Sequence, residues 1–353
     1  MNSSSRSKTS HRQGGFTLAE FLIANVMVLA ILAATFTLLN NLFVANTTMQ
    51  QVLNTEQNLR VAMNAITRDI TMAGTGLTDS GVPVPSSTNS VGLVRQGLGL
   101  TCPNPYTGPG CLPTPGGVLS ILSPGNGVGP TVANAATDVL TIAMVDQNSP
   151  TWTASTITAD GITINFTPEI RSGTGQMIVG DLLLFNNAEG VAFGCVKTVS
   201  TTASQATFAA ADVLNINQPT AAAGTITQNL RNTASNPATY PPTSAVRVML
   251  ITYYLDNSNT ANPKLMRVVN GNTAQVMVEG IENLQFSFDI FDYVNDSGTA
   301  NVAAPANFNQ IRSVRVELSG HSTDKLKGKN DYYHFGMASK VNVRNATFRN
   351  RYS

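Results

Sequence analysis

Glu20 is the one carboxylate in residues 1–55, and it stands at the edge of a long uncharged run. The surrounding stretch is RQGGFTLAEFLIANVMVLAILAATF, residues 12–36. A bare carboxylate inside a membrane costs on the order of 3 kcal/mol or more, so it calls for a cationic partner. The leader MNSSSRSKTSHRQGG carries Arg6, Lys8, His11 and Arg12 and no acid. Its small residues, Gly14 and Gly15, precede the apolar run, whereas a secretory signal has them after it. A cut after Gly15 would remove the basic leader, keep the apolar segment, and create a new α-amine at Phe16. That amine would be a cation of the kind a carboxylate at the membrane edge calls for.

Other groups are weaker candidates. Asp289, Asp292 and Asp296, with Asn295, cluster in DIFDYVNDSG and could offer oxygens to calcium, but their spacing departs from an EF-hand loop. Lys325, Lys327 and Lys329 lie beside Tyr332 and Tyr333 and make a weak footprint for DNA; no nucleic acid is expected. His11, His321 and His334 have no Cys or His at metal-ligand spacing. No nucleophile elbow or phosphate loop is present, so neither an enzyme nor a cofactor is expected. Cys102 and Cys111 flank the Pro/Gly loop TCPNPYTGPGCLP. A disulfide there would staple a loop outside the reducing cytoplasm; the alternative is a pair of reduced thiols. Cys195 reads as a buried strand thiol.

The elements that must position these groups follow from composition. Only 12% of the 353 residues are charged and the net charge is +1, against about 25% charged in an average soluble protein. Residues 21–55 carry no charge, residues 74–246 carry 12 charges, and residues 247–353 carry 21. No Gly or Pro interrupts residues 16–73, which predicts one helix of 58 residues, about 87 Å long. Its first half, Phe21 to Ala45, is long enough to span a bilayer, with Thr35 and Thr37 able to bond back to the backbone. Its second half carries a stripe, Val52, Glu56, Leu59, Met63, Ile66, Ile70 and Ala73, facing a globular body. Beyond Gly76 the chain alternates as strands with turn signals, and five C-terminal runs from 246 onward are expected to cover that stripe.

GGFTLAEFLIANVMVLAIL resembles the cleavage and assembly motif of type IV prepilins and type II secretion pseudopilins. The resemblance implies that prepilin peptidase cuts between Gly15 and Phe16, that Phe16 becomes N-methylated, and that Glu20 docks subunits. EQNLRVAMNAITRDITMAGTGL, residues 56–77, resembles the outer helix of PilW-like minor pilins through Arg68, Asp69, Met72, Ala73 and Gly74. The order of the C-terminal runs agrees.

The expected fold is therefore α+β and pilin-like: a long N-terminal helix, transmembrane then amphipathic, on an antiparallel sheet with a large β-rich insertion. The expected divisions are a leader at 1–15, the helix at 16–76, the insertion at 77–244 and the C-terminal sheet at 245–353. The resemblance implies a minor pilin at or near the fibre tip that primes assembly. Its partners would be prepilin peptidase, other minor and major pilins, and inner-membrane lipid. The basic leader favours the cytoplasmic side, with the bulk of the chain outside; the resemblance implies a single pass in a bacterial inner membrane, the body in the periplasm, and later the pilus at the cell surface. Alternatives are a J-type minor pseudopilin of a secretion or DNA-uptake system, and an adhesin presented at the tip on residues 77–244.

Overall fold

The computed structural model describes residues 15, 17–77, 82–85, 118–173, 175–214, 216–217, 224–235, 237–292, 295–327 and 329–349. Helix α1 spans Leu18–Met72, 55 residues and about 82 Å. Thr17 caps its start, and Thr35 and Thr37 return their hydroxyls to the Ile31 and Ala33 carbonyls at 2.8 and 2.9 Å. Buried positions begin only in its outer half: Thr55, Leu59, Ala62, Met63, Ile66, Asp69 and Ile70. Their spacing of three and four residues is one face of a helix. Gly74 takes a φ of +73° and turns the chain out of the helix. The Gly74 N–H then donates to the Ala143 carbonyl at 2.8 Å, so the exit strand runs straight onto the sheet.

Strands β1 (Val82–Pro83) and β2 (Val118–Leu119) pair with each other. Next come β3 (Leu122–Gly125), the short hairpin of β4 (Thr131–Val132) and β5 (Ala135–Ala136), and β6 (Val139–Val145). They are followed by β7 (Trp152–Ile157), β8 (Thr163–Thr167), β9 (Leu182–Asn186), β10 (Val191–Cys195), β11 (Thr198–Ser200) and β12 (Gln205–Thr207). A four-residue helix, α2 (Ile226–Asn229), leads to β13 (Thr243–Asp256), β14 (Lys264–Val269) and β15 (Gln275–Glu279). The chain closes with β16 (Ile281–Asp292), β17 (Ser297–Val302), β18 (Ile311–His321), β19 (His334–Asn342) and helix α3 (Arg344–Arg349).

Among the described residues these strands form an eleven-stranded sheet and a four-stranded sheet besides the two short pairs, all antiparallel in the registers seen. The large sheet runs β10-β9-β13-β7-β8-β12-β11, with β6, β3, β14 and β15 branching from β13. The smaller runs β17-β16-β18-β19. The architecture is α+β, as expected. A hairpin around Ala188–Gly190 joins β9 to β10, its turn closed by the Asn187 side chain accepting from the Glu189 N–H at 2.9 Å.

One expectation needs correction. The five C-terminal runs do not form one sheet over the helix. Strands β13 and β14 belong to the large sheet, and the face of α1 lies mainly on β18 and β19, with β15 and β6 alongside. Strand β13 itself runs across position 244/245: its first residues pair with β7 and β9 and its later ones with β6 and β14. Partner choice between distant strands is not encoded in local alternation, so period-2 patterning finds strands without assigning them to sheets.

Asp138, buried just ahead of β6, joins the two sheets. One carboxylate oxygen accepts the Gly127 N–H and the other the Phe286 N–H of β16, each at 2.7 Å. Burial lifts its pKa above the ordinary carboxylate range, and the two N–H bonds oppose that rise. A continuous core links the stripe of α1 to residues of both sheets, including Leu250, Tyr253, Leu284 and Val316. A second core, around Trp152, Phe166, Phe185 and Phe208, fills the far face of the large sheet.

Gly280 and Gly320 let β16 and β18 pass closely beneath Leu59. A Cβ on Gly320 would sit 2.5 Å from the Gly280 carbonyl, and one on Gly280, at φ +75°, would sit 2.6 Å from the His321 carbonyl. Gly280→Ala should therefore cost about 1–3 kcal/mol through overpacking, with a left-handed backbone penalty of roughly 1–2 kcal/mol added. Chemical denaturation of the detergent-solubilised protein checks this; an unchanged midpoint would refute the close approach.

Candidate functional site

The candidate site is α1 together with the groups that hold it to the body. At its start, Thr17 and Glu20 form a reciprocal capping box. The Thr17 N–H and hydroxyl donate to Glu20 Oε2 at 2.9 and 3.0 Å, and the Glu20 N–H donates to Thr17 Oγ1 at 3.3 Å. This satisfies helix donors that have no intrahelical acceptor. Both bonds fall on Oε2, so Oε1 has no partner among the described residues, and the side chain is exposed. Gly15 is exposed too, and a Cβ there would meet nothing within 4 Å. Phe16 lies outside the described residues.

From Leu18 to Leu53 the helix presents apolar side chains to the outside, among them Phe21, Leu29, Phe36 and Phe43. None of its most apolar 18-residue window is buried in the body. That separates it from the core helix of a globular domain, whose apolar face is covered. The 25 residues from Phe21 to Ala45 rise about 37 Å, more than the roughly 30 Å of a bilayer core. The helix is long and apolar enough to anchor the chain in a membrane.

The outer half is held by a buried polar cluster. Asp69, 4% exposed, accepts from the Tyr253 hydroxyl at 2.7 Å and from Arg267 Nη2 and Nε at 3.1 and 3.2 Å. Burial and the neighbouring Asp69 carboxylate push the Tyr253 phenol well above its ordinary pKa, so the hydroxyl stays a donor. Burial opposes the charge on Arg267, but the Tyr253 oxygen and Asp69 outweigh it and hold the guanidinium charged. Two further ties flank this cluster. The Tyr333 hydroxyl donates to Glu56 Oε1 at 3.2 Å, and Asn345 of α3 donates to the Ala73 carbonyl at 2.8 Å, capping the far end of α1.

Sequence reasoning named Asp69 through a family likeness and missed its part in this cluster. A signal was available: Ala62, Ile66, Asp69 and Ala73 recur at helical spacing, so an acid on that face implies a buried cation. Similarly unforeseen is the pairing of Arg247 with Asp146 at 2.7 Å and Asp181 at 3.1 Å, which ties β13 to the ends of β6 and β9. Burial raises the Asp181 carboxyl above its ordinary pKa despite that cation.

The weaker candidates are placed as follows. Asp289 accepts from Lys340, from the Ser313 hydroxyl at 2.7 Å and from the Asn301 N–H at 3.1 Å. Asp292 accepts from the Asn295 amide at 2.7 Å. No metal-holding group of three His, Cys, Asp or Glu occurs among the described residues. Tyr333 is turned onto Glu56, Tyr332 lies tilted against the His321 ring with centroids 4.6 Å apart, and Lys325 bonds Asn330 at 2.9 Å. The basic loop therefore does not set out its aromatics as a stacking platform. His334 is a half-exposed strand residue paired with Glu282 at 2.9 Å. Cys195 is buried in β10, which raises its thiol pKa and keeps it protonated. Cys102 and Cys111 lie outside the described residues.

Residues 252–353 match the family model described as Type IV Pilus-assembly protein W. The match begins within β13, takes in Tyr253 and Arg267 of the Asp69 cluster, and covers the four-stranded sheet on which α1 rests. No curated protein and no solved structure matches the chain. The C-terminal part of this chain is thus similar to type IV pilus assembly protein W.

Proposed function

We propose that the chain is a minor pilin of a type IV pilus, with a structural rather than a catalytic role. Prepilin peptidase removes residues 1–15, Phe16 becomes the methylated N-terminus, and α1 holds the protein in the bacterial inner membrane with its body in the periplasm. The subunit then joins other minor and major pilins at or near the fibre tip and primes assembly. The observation that carries this reading is one of combination. A segment matching a pilus assembly family is packed directly on the outer half of a helix whose apolar inner half the body leaves uncovered. This pairing also supports a pilin-like plan for the fold, and the pilus description favours that system over a secretion pseudopilus.

In that setting the free Oε1 of Glu20 is the acceptor available to an incoming α-amine, while Oε2 remains engaged with Thr17. Mass spectrometry of the protein from its native host should find the mature N-terminus at Phe16 carrying one added methyl group. The protein should divide between the membrane and the sheared fibre fraction. An intact leader on the membrane-bound protein, or its absence from sheared fibres under sensitive detection, would overturn the reading.

A further inference from the structure

Where α1 leaves its uncovered segment and first meets the body, a cleft of about 190 Å³ opens between the helix and the segment after β18. Gln51 and Thr55 line it from the helix, and Glu279, His321 and Asp324 from the body. Asn54, Asn58 and Thr323 line it too, but they are exposed and their donors can meet solvent; the buried groups of the lining are short of donors. Gln51 Oε1 is buried and accepts no hydrogen bond. Thr55 spends its hydroxyl proton on the Gln51 carbonyl at 2.8 Å, so its oxygen faces the cleft as an acceptor only. His321, 7% exposed, places Nδ1 2.7 Å from the Ser322 carbonyl, so Nδ1 carries a proton, and Nε2, an acceptor in the neutral ring, has no partner among the described residues. Asp324 has no side-chain partner among the described residues, and Glu279 is already shared between Lys264 and Asn262. Every charged side chain lining the cleft is an acid.

A buried acceptor without a donor costs about 1–3 kcal/mol, so such a lining is built for a ligand rich in N–H groups. A metal ion is the wrong ligand, because no three His, Cys, Asp or Glu side chains among the described residues are placed to hold one. The volume is below the roughly 300–1,000 Å³ of pockets for drug-sized molecules, and suits one short chain with a cationic head. We propose that this cleft binds an organic cation, an alkylguanidinium or alkylammonium group, with Asp324 supplying the counter-charge and Gln51 and His321 accepting its N–H bonds. The group could belong to a soluble amine or to an arginine or lysine of a neighbouring subunit. The inference stands independently of the pilus reading.

The test is a titration of the full-length protein in detergent with n-butylguanidinium, using n-butylurea as the uncharged isostere. Saturable binding of the cation alone is expected. Asp324→Asn, at an exposed position, should weaken binding about tenfold, the usual worth of a charged hydrogen bond. Gln51→Leu should weaken it as well, and His334→Ala, outside the cleft, should not. The same titration on native membranes distinguishes the two sources. Binding lost there means that a neighbour's side chain already fills the cleft, and binding retained means a soluble ligand. Equal binding of butylurea, no effect of Asp324→Asn, or no binding in detergent would overturn the proposal.

Discussion

Arg267→Met should destabilise the body by about 3–5 kcal/mol, the usual cost of stripping the partner from a buried charge. Asp69 is 4% exposed and accepts three bonds through Oδ2, one from Tyr253 and two from Arg267. Without the guanidinium, only the Tyr253 hydroxyl and an edge contact from the exposed Arg68, at 3.3 Å, remain. The double variant Asp69→Leu, Arg267→Met should recover much of the loss, because two apolar groups leave nothing unpaired. Denaturant unfolding of the detergent-solubilised protein reads both. A single variant as stable as the parent, or a double variant no better than the single, would show that the cluster does not hold the helix.

The second large effect concerns Glu20, for which the structure separates two roles. As the third helical residue it caps its own helix, a contribution of about 0.5–2 kcal/mol. As a docking charge it would contribute an ion pair in low dielectric, whose loss costs more. Glutamine at this position still accepts the Thr17 N–H, since capping boxes take Gln as well as Glu. Alanine loses both roles. Glu20→Gln should therefore keep normal cleavage at Gly15 and a stable helix yet lose assembly to nearly the same extent as Glu20→Ala. Immunoblots of sheared fibres beside whole-cell fractions measure this. Fibres at parental level from the Gln variant would reduce Glu20 to a helix cap.

The helix was legible because its determinants are local. An absence of Gly and Pro over residues 16–73, a charge-free first half and a stripe at three- and four-residue spacing are all readable from neighbours in sequence. The capping box was legible too, as Thr17 followed by Glu20, but the long apolar run drew attention to the charge and away from the cap. Strands such as β6, β16 and β18 announced themselves by composition. What stayed hidden depends on residues far apart: Asp69 on Arg267, Asp138 on Phe286, Arg247 on Asp146 and Asp181. In each case only the fold supplies the buried counterpart, even for Asp69, whose sequence neighbour Arg68 stays exposed. Around Asp289 the case is the opposite: Asp289, Asp292 and Asp296 are close in sequence, but Asp289 is engaged by Lys340 and Ser313 from adjacent strands and Asp292 by Asn295.

Strand β13 limits how this protein can be taken apart. It keeps β14 from the C-terminal side, whereas β6, β7 and β9 all come from residues 77–244. Excising that region to ask whether it carries adhesion would strip β13 of three of its four neighbours and leave its amides and carbonyls bare. A truncated protein that lost both fibres and adhesion would then report an unpaired strand, whatever the region does. The separable parts of this chain are surfaces and not segments, and its middle is better dissected by single substitutions on exposed faces than by scissors.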